Sequence, residues 1–569
     1  MAPRGSRLTD GAGFKMTSRK NILFIMFDQL RFDYLSCAGH PHLHTPNIDW
    51  LASQSVSFSR CYVQSPVCGA SRMSFYTGRY ISSHGSTWNG IPLKVGEMTL
   101  GDHLRDQGMD SVLIGKTHMQ VDAEGMERLG LTPDSIIGAR VSECGFDAYI
   151  RDDGLWGVGP DGAYDRKPSP YNAFLNEAGY DGDNPWHDYA NSGIDDDGNM
   201  ASGWVYSNAC KPANIREEDS ETPWLTRQMI RFLADRKETD GRPWLCHLSY
   251  IKPHWPYIVP APYHEMYGPN SFTPVVRHPD ELSDPNPVYA AFANNVIGTA
   301  FHKDEVRNAA LGAYMGLIKQ IDDQMGVLFD YLKSTGEMEN TIIVLTSDHG
   351  DYMGDHWMGE KDLFHDPSVK VPLIIYDPSS EADATRGTVC DALVEAIDLA
   401  PTFVEMAGGV PRYEIFEGRS LAPFLRGDTP DGWRNFAISE YDYSITPMSA
   451  RLGVAPKDAR LFMVCDDRWK FMHAEGGFPP MLFDLHNDPQ ELVDLGRNSD
   501  YEAIVNSCYD KLFEWSRRVS QRTTVSDQQL MDRRGKTRRR GIVLGVTDED
   551  SVDAELIAGY RGKARQKHI

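Results

Sequence analysis

The chain reads as an α/β fold: a large mixed, mostly parallel sheet sandwiched by helices, followed by a smaller C-terminal α+β unit. Three observations predict it. Short apolar runs at 22–27, 111–114, 244–249, 341–346 and 371–376 are bounded by Gly, Asp and Pro, and they have the length of buried strands. Between them lie helical patterns, clearest over 305–333, where Leu311, Tyr314, Ile318, Ile321, Met325, Leu328 and Leu332 recur every third or fourth residue and make one apolar face. The alternation of the two kinds of segment covers both faces of a sheet with helices.

In chain order, residues 1–20 are expected to be extended or disordered, and 21–409 to form the large unit. Ligands of such sheets collect outside the carboxyl ends of the strands. Asp28 and Gln29 directly follow the first run, and Ser347, Asp348 and His349 directly follow the run at 341–346. His40, His42 and His44 alternate before TPNID at 45–49, and they read as a loop leading to a helix that starts at Thr45 or Asn47, not as a second metal site. From 146 to 223 the composition turns to Gly, Asp, Asn, Pro, Trp and Tyr, which predicts long loops forming a specificity lid. Its IDDDGN stretch at 194–199 lacks an EF-hand's ligands, with Gly193 in the first position and Trp204 in the last, and reads as a solvated acidic turn. Residues 410–525 form the smaller unit, with strand-like runs at 461–465 and 481–485 and a helix over 501–518. Residues 526–569, including DRRGKTRRRG at 532–541, read as a solvated basic tail or an oligomerisation arm, and homo-oligomerisation is expected.

The 569 residues, 41% of them hydrophobic, suffice for one large core and a second smaller one. The net charge of -24 argues against nucleic acid as a partner and for an acidic enzyme. An anionic substrate would be repelled by that field, so its site needs local cations. The polar first twenty residues contain no signal-peptide core, and no apolar run approaches the ~20 residues that span a bilayer; a cytoplasmic protein without membrane contact is expected. The nine cysteines are scattered and lack C-x-x-C spacing, which suits a reducing compartment.

Cys68 stands apart. In CGASR at 68–72 it is followed by a glycine and a small residue, with a helix expected from about Ser71, so that its sulfur lies at a helix N-terminus that favours negative charge. A thiolate nucleophile is one reading of the residues. The string also resembles the sulfatase signature C-x-(P/A)-x-R, which Cys68, Ala70 and Arg72 meet. The resemblance runs over 21–409 and is strongest at NILFIMFDQ, HTPNIDWLA, CGASRMSFYTGR, LIGKTHM, KPHWPY and TSDHGDYMGDH, in the order in which that family carries them. It implies an alkaline phosphatase-like fold and a sulfuric ester hydrolase close to arylsulfatases, choline sulfatases and phosphonate monoester hydrolases.

The resemblance further implies that a formylglycine-generating enzyme oxidises Cys68 to formylglycine. One divalent ion is then bound by Asp28, Gln29, Asp348, His349 and the side chain at 68. Oxygen ligands with one imidazole suit Ca2+, Mg2+ or Mn2+. Ca2+ is the family's ion, but Gln29 replaces the usual second Asp, and His349 moves the preference toward Mn2+. Lys116, His118, His254 and Lys361 follow strand-like runs or the metal string. Alternation along an extended backbone would send Lys116 and His118 to one side. With Arg72 these are the family's catalytic residues, and Asn89, Lys116, His254 and Lys361 its substrate contacts. In that mechanism the aldehyde hydrate, held by the metal and Arg72, attacks sulfur. His254 or Lys361 protonates the leaving oxygen, and a proton passing to His118 lets sulfate eliminate from the second hydroxyl.

The rival enzyme reading is a phosphonate monoester hydrolase or phosphodiesterase, which resembles the chain at Asp28-Gln29, Asp348-His349 and Asn89. The Lys116-x-His118 arrangement favours sulfatase, with promiscuity between the two esters. A third reading is a catalytically silent, anion-binding relative. His356 and His365 lie close enough to the metal string to touch substrate, whereas His84 and His365 have no assigned role. Trp88, Trp255, Trp357 and the expected lid are candidates to stack on an aryl ring or enclose an amine.

Overall fold

The computed structural model describes residues 19–132, 134–154, 169–236, 241–518 and 525–533, with Asp550 and Ala554. Most of the 1–20 and 526–569 segments, and 155–168 of the expected lid, lie outside the described residues. The strands up to the middle of the chain are β1 (Asn21–Asp28), β2 (Val56–Tyr62), β3 (Asp110–Gly115), β4 (Asp147–Arg151), β5 (Ser192–Ile194), β6 (Met200–Ser202) and β7 (Trp244–Pro253). The second half carries β8 (Thr341–Ser347), β9 (Lys370–Tyr376), β10 (Thr388–Cys390), β11 (Val394–Glu395), β12 (Phe436–Asp442), β13 (Arg460–Asp466), β14 (Trp469–Ala474) and β15 (Met481–Asp484).

Nine strands form one mixed sheet in the order β10-β2-β9-β8-β1-β7-β3-β4, with β11 beside β2. β9 is the reversed strand, antiparallel to both β2 and β8. β1 lies at the centre with every residue buried, because helices cover both faces and leave no solvent side to favour polar alternation. The expected long helix spans Asp304–Thr335 and buries all seven of its periodic apolar positions. It ends at Gly336, whose φ of 76° supplies the left-handed cap. The helix Pro46–Ser53 starts at Thr45 as expected, and Asp322 of the long helix accepts from its Asn47 and Ile48 N–H groups at 3.0 and 2.9 Å.

The second sheet is antiparallel, β12-β13-β14-β15. One face packs Val464, Phe471 and Leu482 against the helix Glu502–Ser516. The other continues the apolar cluster of the large sheet through Ala437, Met463 and Phe483. No helix among the described residues is long and apolar enough to cross a membrane.

The five apolar runs are all strands, whereas β2, β4, β10, β12 and β14 carry too many polar residues to stand out. Lys470 of β14, for example, is fully buried, where it pairs with Asp366 and Glu491. The 146–223 segment is not loop throughout: it contains β4, the helix Pro170–Glu177 and the β5–β6 hairpin. The acidic stretch is that hairpin's turn, with Asp195 Oδ1 accepting from the Asp197 and Asn199 N–H groups.

One glycine sets the end of β3. Gly115 has φ 107°, and a Cβ there would lie 2.1 Å from the Ser249 carbonyl oxygen, the same oxygen that accepts from Lys116 N at 3.2 Å. Gly115→Ala is therefore expected to cost about 1–3 kcal/mol, read from urea unfolding. Gly268→Ala, whose Cβ would meet no atom within 4 Å, should stay within about 0.5 kcal/mol of the parent. Equal effects of the two substitutions would refute the close-approach account.

Candidate active site

The helix that carries Cys68 begins three residues earlier than the sequence suggests. Val67 is its extended cap, and the helix runs Cys68–Thr77 with every residue buried, so Cys68 occupies the first helical position. Gly69 N donates to Asn89 Oδ1 at 2.8 Å. A Cβ at 69 would lie 2.9 Å from that oxygen, so the close packing of Asn89 on the helix start requires glycine. Ser71 Oγ donates to the Asp348 carbonyl at 2.6 Å, fixing the helix to the end of β8.

Beneath Cys68 lies a buried ionic cluster. Parallel pairing of Phe27 with Ser347 puts Asp28 and Asp348 side by side at two strand ends. Arg72 donates from Nε to Asp348 Oδ2 at 2.8 Å and from Nη2 to Asp28 Oδ2 at 3.2 Å. Its Nη1 reaches the Lys116 carbonyl at 3.1 Å and Ser249 Oγ at 2.7 Å. In this structure Arg72 turns four of its five N–H groups to the carboxylates and to the ends of β3 and β7, contacts that the motif alone does not specify.

Ligand atoms of Asp28, Cys68, Asp348 and His349 lie within 4.8 Å of one another. His349 Nδ1 is tied to the Gly350 carbonyl at 2.8 Å, so Nε2 faces the cluster, 3.1 Å from Cys68 Sγ and 3.6 Å from Asp28 Oδ1. Gln29, at φ 69°, donates its amide nitrogen to Tyr257 Oη at 2.9 Å and to Asp351. That fixes which end of the amide is which: Oε1 turns toward Lys361 Nζ, 3.4 Å away. The resulting donors are carboxylate and amide oxygens with one imidazole nitrogen, and they fit a hard divalent cation. Burial alone would raise Asp28, but Lys116, His254, Arg72 and His349 hold it well below the ordinary carboxylate range.

The expected cations converge above the cluster. Lys116 Nζ is 2.6 Å from Asp28 Oδ2. Lys361 Nζ is 3.0 Å from Cys68 Sγ and 3.3 Å from both His254 Nε2 and His349 Nε2. His254 Nδ1 contacts the Trp255 carbonyl at 2.6 Å, and burial with nearby Lys361 and Lys116 pushes this imidazole well below its ordinary value. Burial and Lys116 do the same to His118. His118 and Lys116 reach one side of the site, but not by strand alternation: β3 stops at Gly115, and His118 turns inward at φ 58° with Asp153 Oδ1 accepting from its N–H at 2.9 Å. Burial and Asp28 push the Cys68 thiol up to about 11.

Cys68, Asn89, Lys116, His118, His254 and Lys361 line a cavity of about 780 Å³. Trp88 and Trp255 form aromatic walls, and Trp88 stacks on Tyr441 of β12 at 5.6 Å. Trp357 is elsewhere, donating to the His278 carbonyl. His356 and His365 stack on each other at 4.1 Å and are held by Glu281 and Tyr352, away from this cavity. His84 is bonded to Ser74 Oγ at 3.0 Å. Of the described part of 146–223, Asp153 and Trp186 reach the cavity. Among the described residues its lining also includes Phe292, Val296 and Ile297 and Met448 and Arg451, from segments with no chemistry-bearing motif to mark them.

A family model described as Sulfatase matches residues 20–410, and one described as N-sulphoglucosamine sulphohydrolase, C-terminal, matches 354–518. The multifunctional alkaline phosphatase superfamily protein PehA of Trinickia caryophylli is 31% identical over 532 residues, 89% of this chain and 97% of that protein. The arylsulfatase of Clostridium perfringens is 26% identical, over 86% of this chain and 92% of the relative. Among solved structures, the phosphonate monoester hydrolase of Silicibacter pomeroyi superposes with a TM-score of 0.76 at 29% identity, covering 89% of this chain and 97% of that one.

Removing the shared cation tests the cluster. Arg72→Met leaves two buried carboxylates with one partner fewer. In chelator-treated protein it is expected to lower stability by about 3–5 kcal/mol, measured by urea unfolding, with added Ca2+ or Mn2+ restoring more in the variant than in the parent. A loss under about 1 kcal/mol would mean that the clamp does not support the fold.

Proposed function

The chain belongs to the sulfatase family, and from that premise we propose that it is a sulfuric ester hydrolase, arylsulfatase-like, acting through formylglycine made from Cys68. The observation that carries this reading is the convergence on Cys68 Sγ of His349 Nε2 at 3.1 Å and Lys361 Nζ at 3.0 Å, at the floor of a largely apolar cavity. A divalent cation held by Asp28, Gln29, Asp348, His349 and the side chain at 68 would act as a Lewis acid that favours an ionised hydroxyl beside it; Ca2+ is the family's ion, and Mn2+ or Mg2+ also suits these donors.

In the metal-free protein the thiol is a weak candidate for the nucleophile, because burial and the Asp28 carboxylate push it up. The hydrate of formylglycine offers oxygen in its place, and the maturation partner is a formylglycine-generating enzyme. Lys116 and Lys361 present ammonium groups to the oxygens of a tetrahedral ester, and Asn89 adds its amide nitrogen. Neutral His254, with Nδ1 committed to the Trp255 carbonyl, offers Nε2 as an acceptor to Lys361. The pair thus shares one transferable proton for the leaving oxygen. His118, kept neutral by burial and Lys116, is suited to take the proton released when sulfate departs. Overall, water enters, and the alcohol or phenol and sulfate leave.

A second reading, phosphonate monoester hydrolase, is favoured by the Asp28-Gln29 pair and by the phosphonate monoester hydrolases of Silicibacter pomeroyi and Agrobacterium radiobacter, with TM-scores of 0.76 and 0.72 at 29% identity. Both esters are tetrahedral monoanions with an oxygen leaving group, so the same cations serve both. The Lys116-x-His118 arrangement places sulfate first. With matched leaving groups, kcat/KM for an aryl sulfate is expected to exceed that for a phenyl phosphonate monoester. A phosphonate preference above about tenfold, 1.4 kcal/mol in barrier, reverses the order.

Maturation is tested by mass spectrometry of the peptide containing residue 68 in active enzyme, where aldehyde or its hydrate is expected. Protein made without the maturation enzyme should be inactive at pH 7 and stay so at pH 9. A thiol raised to about 11 is only half ionised at that pH, which leaves about 1% thiolate at pH 9. Full activity with an unmodified thiol, or a steep rise between pH 7 and 9 in unconverted protein, contradicts the assignment.

A further inference from the structure

Resting on the hydrolase reading above, we infer that Arg451 forms a second anion subsite at the mouth of the cavity, so that the preferred ester carries a carboxylate or similar anion at the far end of an apolar leaving group. Cys68 at the floor is fully buried, whereas Arg451, in the same cavity, is exposed. The same cavity is lined by the Trp88 and Phe292 rings and by Ile297 and Met448, with Val296 86% exposed. A volume of about 780 Å³ falls in the range, roughly 300–1,000 Å³, that encloses a drug-sized ligand, so the leaving group has room to extend from floor to mouth.

Several polar atoms of the outer wall are held by the wall's own backbone. Asn294 Nδ2 donates to the Ala290 carbonyl at 2.9 Å, Asn295 Oδ1 accepts from Gly298 N at 2.7 Å, and Thr446 Oγ1 donates to the Tyr443 carbonyl at 2.8 Å. The lining carboxylates are engaged as well: Asp153 by Arg151 and two backbone N–H groups, Glu360 by Tyr206, and Asp362 by Tyr441.

Arg451 differs. Its Nη1 donates to the Ala291 and Asn294 carbonyls at 3.2 and 2.8 Å, at the C-terminal end of the helix Pro287–Ala293. That fixes the guanidinium plane while leaving Nε and Nη2 with no partner among the described residues. No described carboxylate pairs with it. A pre-positioned guanidinium with two open donors matches the fork of a carboxylate. On a chain of net charge -24, it also offsets the repulsion that an incoming anion meets at the mouth.

The test compares aryl sulfates bearing a carboxylate on spacers of increasing length with their uncharged methyl-amide twins, in the parent, Arg451→Gln and Arg451→Lys. At one spacer length the parent is expected to prefer the carboxylate by about tenfold in kcat/KM, mainly through KM, and the preference should shrink as salt rises. Arg451→Gln should abolish the preference, losing more on the carboxylate than on the neutral twin; Arg451→Lys should retain part of it. Equal rates on the twins at every length, or equal losses on both in Arg451→Gln, overturn the subsite while leaving the hydrolase reading intact. Failure of the parent to cleave either twin overturns both.

Discussion

A buried guanidinium shared by two carboxylates is the interaction on which the site depends. Asp28 and Asp348 stand side by side because β1 and β8 run parallel in register, and two adjacent buried anions repel each other unless a cation lies between them. Arg72 supplies it and also reaches the ends of β3 and β7. One side chain thereby joins four segments that carry chemistry. Its charge is offset by the carboxylates and their charge by it, which lets a polar centre persist inside an apolar sheet. Lys116 takes the remaining side of Asp28, leaving the other oxygen toward Cys68.

Around that centre the backbone adopts conformations that L-residues ordinarily avoid. Gln29, His118, Glu360 and Asp362 all have positive φ. Such strain persists only where surrounding contacts over-determine it. Gln29 is held by Tyr257 and Asp351, His118 by Asp153, Glu360 by Tyr206, and Asp362 by Tyr441. The last two flank Lys361, so the position of this ammonium is set by Tyr206 of the 146–223 segment and by a tyrosine of the C-terminal sheet. The smaller unit is therefore part of the site: β12 fixes the Lys361 loop and backs Trp88, and the helix Pro447–Arg451 closes the outer wall.

Much of this was legible in advance. The five apolar runs are central strands or neighbours of central strands, where burial on both faces demands continuous hydrophobicity. The long helix announces itself by periodicity over 305–333. Less visible were β2, β10 and β14, whose polar residues face ion pairs or solvent and break the apolar pattern, and the true start of the Cys68 helix, where a β-branched valine and not a polar cap precedes it. The motif marks Arg72 but not its partners, since nothing local in the chain says whether a guanidinium points up at substrate or down at carboxylates.

The division follows from the range of the forces involved. The sequence by itself determined the five central strands and the long helix, because burial writes a short-range pattern, and it marked Asp28, Cys68, Lys116, Asp348 and His349 as candidates because they stand at or just past element ends, where a parallel sheet gathers ligands. Only the tertiary structure decided the hand of each contact: that Gln29 turns its oxygen toward Lys361, that His356, His365 and Trp357 turn away, and that Phe292, Val296, Met448 and Arg451 line the cavity over Cys68. Those outcomes rest on packing between segments far apart in the chain, and such packing leaves no periodic trace in either segment.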